Sequence, residues 1–149
     1  MPDQVDASRA VTTERLLAAS PGAVFAAFER PDRLARWWGP EGFTNTFELF
    51  EFRPGGRWDF VMHGPNGIDY VNKSIFREVE PDARLVIEHV VEPWFLLTVT
   101  LTPRGDGTRV DWVQEFATPQ VAAKMRPIGA TANEQVLDRL EAVLAAGDA

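Results

Sequence analysis

Cysteine is missing altogether from the 149 residues. That excludes a disulfide framework, thiol catalysis and cysteine-bound zinc or iron–sulfur clusters, and it fits a reducing cytoplasm, the expected location. Histidine is scarce: His63 and His89 are the two present, with no second histidine at ligand spacing, so neither a metal nor a cofactor is expected. Long apolar runs are missing too. No segment approaches 18 uncharged apolar residues, and the opening MPDQVDASRA has no basic region followed by an apolar stretch. A soluble, unexported chain without a membrane partner is the expectation. Positive charge is in deficit, with 15 basic residues against 22 acidic ones and a net charge of −7. The basic residues are scattered, so a phosphate backbone would meet repulsion and no local footprint; nucleic acid is excluded as a partner. No phosphate-cradling loop is present, because Gly105 to Gly107 joins two strands and opens no helix. No serine sits in a glycine-flanked strand-to-helix elbow.

What is present is enough for one domain with its own core, spanning residues 1–149, with residues 1–8 expected to be disordered. Val11 to Ala18 reads as a first strand. Ser20-Pro21 and then Pro31 open two short helices, a cap and a first-turn proline being the usual opening, and Gly39-Pro40 stops the second. Six strand-like runs follow: 44 to 52, 57 to 63, 68 to 79, 84 to 91, 94 to 102 and 109 to 116. They are separated by turn residues such as Pro54-Gly55-Gly56 and Asn66-Gly67. Thr118 and Pro119 then open a long closing helix to about Ala146. Its apolar stripe runs through Met125, Ile128, Ala132, Val136, Leu140 and Val143/Leu144, with a kink or restart expected at Pro127. Consecutive hairpins make an antiparallel sheet, and this one has a single long helix to pack on. The fold class is therefore α+β: a curved seven-stranded antiparallel sheet wrapped around the C-terminal helix, with two short helices between the first and second strands. Space left between curl and helix is the candidate site.

The stretches WWGPEGF at 37 to 43, FRPGGRWDFVMHGPNG at 52 to 67, Tyr70 with Asn72, and ANEQVLDRL at 132 to 140 resemble the AHSA-like branch of the START/Bet v-type (SRPBCC) helix-grip superfamily. This branch comprises homologues of the activator of heat-shock protein 90 ATPase. The likeness runs from about Val11 to Leu144. It implies the helix-grip fold already reasoned from the strand order. For function it implies a range, since the superfamily includes lipid carriers, receptors, ring-closing enzymes and co-chaperones. Ala132 departs from the glycine often found before NEQ in such proteins, and the chain has no room for the additional N-terminal domain of the eukaryotic co-chaperone.

Either ring of the Trp37-Trp38 pair can line a cavity mouth or plug the gap beside the short helices; Trp37 is taken as the ligand candidate. Trp58, Phe60, Met62 and Trp112 alternate as inward positions that suit an apolar or aromatic ligand, and core packing accounts for them equally well. Polar residues on inward faces say more, because burial without a partner is costly. Gln114 between Trp112 and Phe116, and Tyr70 and Asn72 on the face of Phe76, are the orienting candidates. His89 shares a face with Leu85 and Ile87 and is, with Tyr70, the candidate proton-transfer group. Met125 on the closing helix completes the ligand-binding set. Three readings follow: a domain binding a small apolar or aromatic ligand; a protein-interaction module that engages a chaperone; and a polyketide cyclase/aromatase-like enzyme. A monomer or homodimer is expected in each case.

Overall fold

The computed structural model describes residues 6–147. The expectation of disorder for residues 1 to 5 lies outside them, whereas Ala7–Arg9 form a short 3-10 turn whose Asp6 side chain accepts from the Ser8 amide. Strand β1 (Ala10–Leu17) leads to α1 (Pro21–Glu29) and α2 (Pro31–Trp37). Both helices start on the prolines read from sequence, and the Ser20 hydroxyl accepts the Ala23 amide at 3.2 Å as a cap. Six strands follow: β2 (Thr44–Phe50), β3 (Arg57–His63), β4 (Asp69–Glu80), β5 (Arg84–His89), β6 (Phe95–Arg104) and β7 (Gly107–Phe116). The closing helix α3 spans Pro119–Ala146, capped by Thr118 through the Val121 amide.

All pairings are antiparallel, in the order β1-β7-β6-β5-β4-β3-β2. The meander from β2 to β7 therefore carries β1 on its far edge. Register shifts interrupt β2–β3 between Phe47 and Leu49, and β4–β5 between Phe76 and Glu78. Extra residues of this kind bend a strand and increase its twist, so the sheet curls on one side. The inward alternation of Trp58 and Phe60, and of Leu97, Val99 and Leu101, leaves these side chains buried against α1, α2 and α3.

Helix α3 runs on through Pro127 without restarting. Its buried residues are Ala122, Asn133, Val136, Leu137 and Leu140, while Ile128 is 66% exposed. The buried stripe passes instead through Gly129, where an added Cβ would touch Val11 and the Gln114 side chain. The inward place read for Ile128 is thus corrected: Gly129 lets the helix come close to the sheet, and one residue along a helix is a turn of about 100°. No described helix is long and apolar enough to cross a membrane.

Candidate functional site

The site begins with a problem of helix ends. Ala27 lies in the last turn of α1, where its carbonyl would look four residues on for a donor and finds Pro31, which has none. The Trp37 indole N–H supplies the bond at 3.0 Å. Trp37 is thereby fixed in the core at 0% exposure, edge-on to Phe28, and does not line the cavity between sheet and α3. The next residue takes that role. Trp38 turns out of α2, and its carbonyl accepts from Asn45 Nδ2 at 2.8 Å and Arg139 Nη1 at 3.3 Å. Arg139 also reaches the carbonyls of Gly39 (2.8 Å), Pro40 (3.0 Å) and Arg36 (2.8 Å), so one guanidinium on α3 holds the whole loop after α2. Burial pulls its pKa down, and among the described residues no carboxylate answers it. Gly39 sits at φ +95°, and a Cβ there would come within 2.7 Å of the Met62 side chain.

Beneath this loop lies a cavity of about 210 Å³ between the curled sheet and α3. Trp38, Gly39 and Pro40 cover it, and Ala132, Asn133 and Val136 of α3 form one side. Phe60, Ile87, Phe95, Leu97 and Trp112 make most of the sheet wall, with Met62 near the mouth. Polar groups are few and fall in two places. Deep against α3, Asn133 Nδ2 donates to Gln114 Oε1 at 2.8 Å. On the opposite side are Asn72, Ser74 and His89. His89 is 8% exposed, its ring stacked on Phe95 at 4.5 Å between centroids, and its Nδ1 lies 2.8 Å from the Pro93 carbonyl and its Nε2 2.8 Å from Asn72 Oδ1. Desolvation pulls its pKa below the ordinary 6.5, against weaker upward pulls from backbone bonds at Pro93 and Val91. The Glu92–Pro93 peptide is cis. Met62, Asn72 and His89 also line an outer vestibule of about 520 Å³ with Phe43, Asp69, Tyr70 and Glu92.

The structure thus brings Phe60, Met62, Asn72, His89, Trp112 and Gln114 together on the cavity wall. Four candidates lie elsewhere. Trp37 is committed to α1, as above. Trp58 is buried two residues before Phe60 on β3, stacked on it at 4.3 Å and parallel to Phe76, and does not line the cavity. Met125 packs with Val11, Phe116 and Ala122, seven residues before Ala132 and so about 10 Å down the helix. Tyr70 is 42% exposed and faces the vestibule, its ring 5.9 Å from Phe43. Asn133 and Arg139 lie outside the candidates read from sequence, and of the Trp37-Trp38 pair it is Trp38 that lines the cavity. Asn133 was visible as a polar residue between Ala132 and Val136 on the buried stripe.

His63 is placed outside the site. Its ring bonds Thr46 Oγ1 at 2.7 Å and Asp69 Oδ1 at 2.8 Å on the outer side of the sheet edge. Among the described residues no group of three or more histidine, aspartate or glutamate side chains is arranged to hold a metal.

Comparison with known proteins agrees with this architecture. The family described as Activator of Hsp90 ATPase homolog 1-like protein matches residues 18–145. A crystal structure of a protein from Rhodobacter sphaeroides is similar at 26% identity, covering 98% of this chain and 99% of that one with a TM-score of 0.86. A solution structure from Arthrobacter aurescens is similar at 26% identity, with 98% and 93% coverage and a TM-score of 0.85. A crystal structure from Nitrosomonas europaea, 24% identical over 95% and 97% of the chains, shares the fold at a TM-score of 0.87. No curated protein sequence matches the chain.

Proposed function

The chain belongs to the family of Activator of Hsp90 ATPase homolog 1-like proteins, and on that premise we propose that it binds a small, uncharged aromatic or apolar molecule between sheet and α3. The carrying observation is the cavity of about 210 Å³, walled mostly by rings and aliphatic side chains, with polar groups confined to two places. An apolar cavity of about 150 Å³ is known to take up benzene, so this one suits a molecule of one or two rings. It is small beside the several hundred cubic ångströms typical of drug-sized ligands. The Gln114–Asn133 pair at one end and His89 with Asn72 at the other would fix orientation, the apolar walls supplying most of the affinity.

The test is a titration with naphthalene-sized probes, read from the indole N–H resonances. Trp38 and Trp112 line the cavity and are expected to shift. Trp94, whose indole donates to Glu88 Oε2 at 2.7 Å outside the cavity, serves as the control and should not. Replacing Ala132 by leucine fills the space from the helix side and should abolish the shifts. Uniform or absent shifts would sink the reading.

A second reading, a protein-interaction module, draws on exposed apolar side chains near the vestibule: Ile68, Val71 and Val90 at 51%, 61% and 41% exposure. It requires heat-shock protein 90 to be recovered with the protein from host lysate, and an empty pulldown would end it. A cyclase-like reaction needs a second proton-transfer group beside His89, and no carboxylate lines the inner cavity among the described residues.

A further inference from the structure

His89 and Asn72 stand where the inner cavity meets the vestibule, both lining each space. They form part of a chain of four groups: the Pro93 carbonyl, the His89 ring, the Asn72 amide and the Tyr70 carbonyl. The three contacts along it are 2.8 Å, 2.8 Å and 3.1 Å. The two ends are carbonyl oxygens, which only accept. Three contacts between acceptor ends need three donors. A neutral imidazole supplies one, and the Asn72 amide supplies one from whichever end its nitrogen occupies. The chain is one hydrogen short in either tautomer of His89 and either orientation of Asn72. With Asn72 donating to the exposed Tyr70 carbonyl, the unmet contact is the part-buried one between His89 Nε2 and Asn72 Oδ1, and an acceptor set against another acceptor there costs free energy, so the junction is receptive to a donor from outside.

Two donors are available in principle: a proton on His89, or a hydroxyl carried in by a ligand. Desolvation works against the proton. Groups around the ring do not reverse this. On the β4 side the neighbouring carboxylate, Asp69, is engaged with His63. On β5, Glu88 is bound to Arg77 and to the Trp94 indole. On β6 the ring meets Phe95, β3 contributes Met62 to the same junction, and α3 and β7 contribute the uncharged Ala132, Asn133, Val136 and Gln114. Glu92 in the vestibule is the remaining acid.

We propose that His89 Nε2 is the docking point for a neutral hydroxyl, so that the ligand class is a small phenol or aromatic alcohol. This rests on the cavity reading above and names its ligand chemistry. The hydroxyl donates to Nε2 while Nδ1–H stays on the Pro93 carbonyl, and Asn72 keeps its donation to the Tyr70 carbonyl. A carboxylate ligand is disfavoured on the same grounds. It brings no donor, no lysine or arginine lines either space among the described residues, and Asp69 and Glu92 flank the entrance.

The experiment compares 2-naphthol with 2-methylnaphthalene, which match in shape and differ in the donor. Calorimetry at about pH 7.5 and about pH 5 brackets the range in which histidine titrates. The quantity read is the ratio of the two affinities. In the wild-type protein at about pH 7.5 the ratio should favour naphthol by on the order of tenfold more than in His89→Phe, and protonation of His89 as pH falls, which satisfies Asn72 and leaves Nε2 nothing to accept with, should bring the ratio down. His89→Phe should show the low ratio at both values. A ratio unchanged in His89→Phe overturns the proposal. If methylnaphthalene binds and the ratio is the same in wild type and His89→Phe, this inference alone fails. If neither probe binds, the cavity reading fails and takes the inference with it.

Discussion

Trp37 and Trp58 are both wholly buried, yet their indole nitrogens are treated differently. That of Trp37 caps the Ala27 carbonyl, whereas that of Trp58 has no partner. Replacement by phenylalanine removes similar ring area at both sites, but at Trp37 it also leaves a carbonyl without a donor and at Trp58 it removes a desolvated one. Trp37→Phe should therefore lose about 1–2 kcal/mol more stability than Trp58→Phe in denaturant unfolding. Equal losses would mean that ring packing alone sets the cost. His89 gives a pH signature at the same scale. Its pKa is held below the ordinary 6.5, so the folded state binds this proton less readily than the unfolded chain does. Its contribution is complete above that value and is lost as pH falls through the lowered one. Unfolding midpoints should drop from about pH 7 to about pH 5, and His89→Gln should flatten that slope. The carboxylates with lowered pKa, such as Glu88 through its bonds from Trp94 and Arg77, act below their ordinary 4.5 and fall outside this window.

At the scale of elements, α3 is a wall and a latch together. Val136 and Leu140 pack inward while Arg139, on the flank between them, holds four carbonyls at and beyond the end of α2. Arg15 of β1 ties the solvent side of the helix to Glu134 and Asp138 at 2.6 and 2.7 Å, with partners more than half exposed and therefore screened. Arg139→Met keeps the aliphatic stem and removes the latch. It should cost about 1.5–3 kcal/mol, broaden the Trp38 indole resonance and weaken probe binding, whereas Arg15→Met should leave Trp38 untouched. An unchanged Trp38 signal in Arg139→Met would show that Asn45 alone holds the loop. The elements themselves were legible because caps, prolines and period-two alternation act within a few residues: Ser20, Pro31, Thr118 and the run from Arg57 to His63 mark real boundaries. Apolarity does not fix position at Ile128, which is exposed, and Gly129 offers no side chain for a pattern to register.

The whole molecule decides what lines the cavity, and little of that is local. Phe60, Trp112 and Gln114 were legible from alternation, since each strand has one inward face. Whether an inward residue meets space or another ring depends on where α3 and the loop after α2 end up, which is why alternation and periodicity alone put Trp58 and Met125 beside the ligand, leave Trp38 undecided against Trp37, and do not single out Asn133. The same global geometry leaves an apolar pocket of about 210 Å³ beside the core, continuous with the vestibule. Unfilled apolar space is unfavourable, because the atoms around it lack partners. A chain that keeps it open gives up stability where a binding function would need room. Leucine at Ala132 adds three carbons on the helix side, a good helix former facing apolar walls. The variant should melt about 2–4 °C higher, the gain of roughly 1 kcal/mol expected at this chain length, while losing probe binding. A lower melting temperature would mean the walls had already closed on the space, and a higher one with binding retained would put the ligand elsewhere. Higher stability gained together with lost binding is the outcome that identifies the void as the ligand's place.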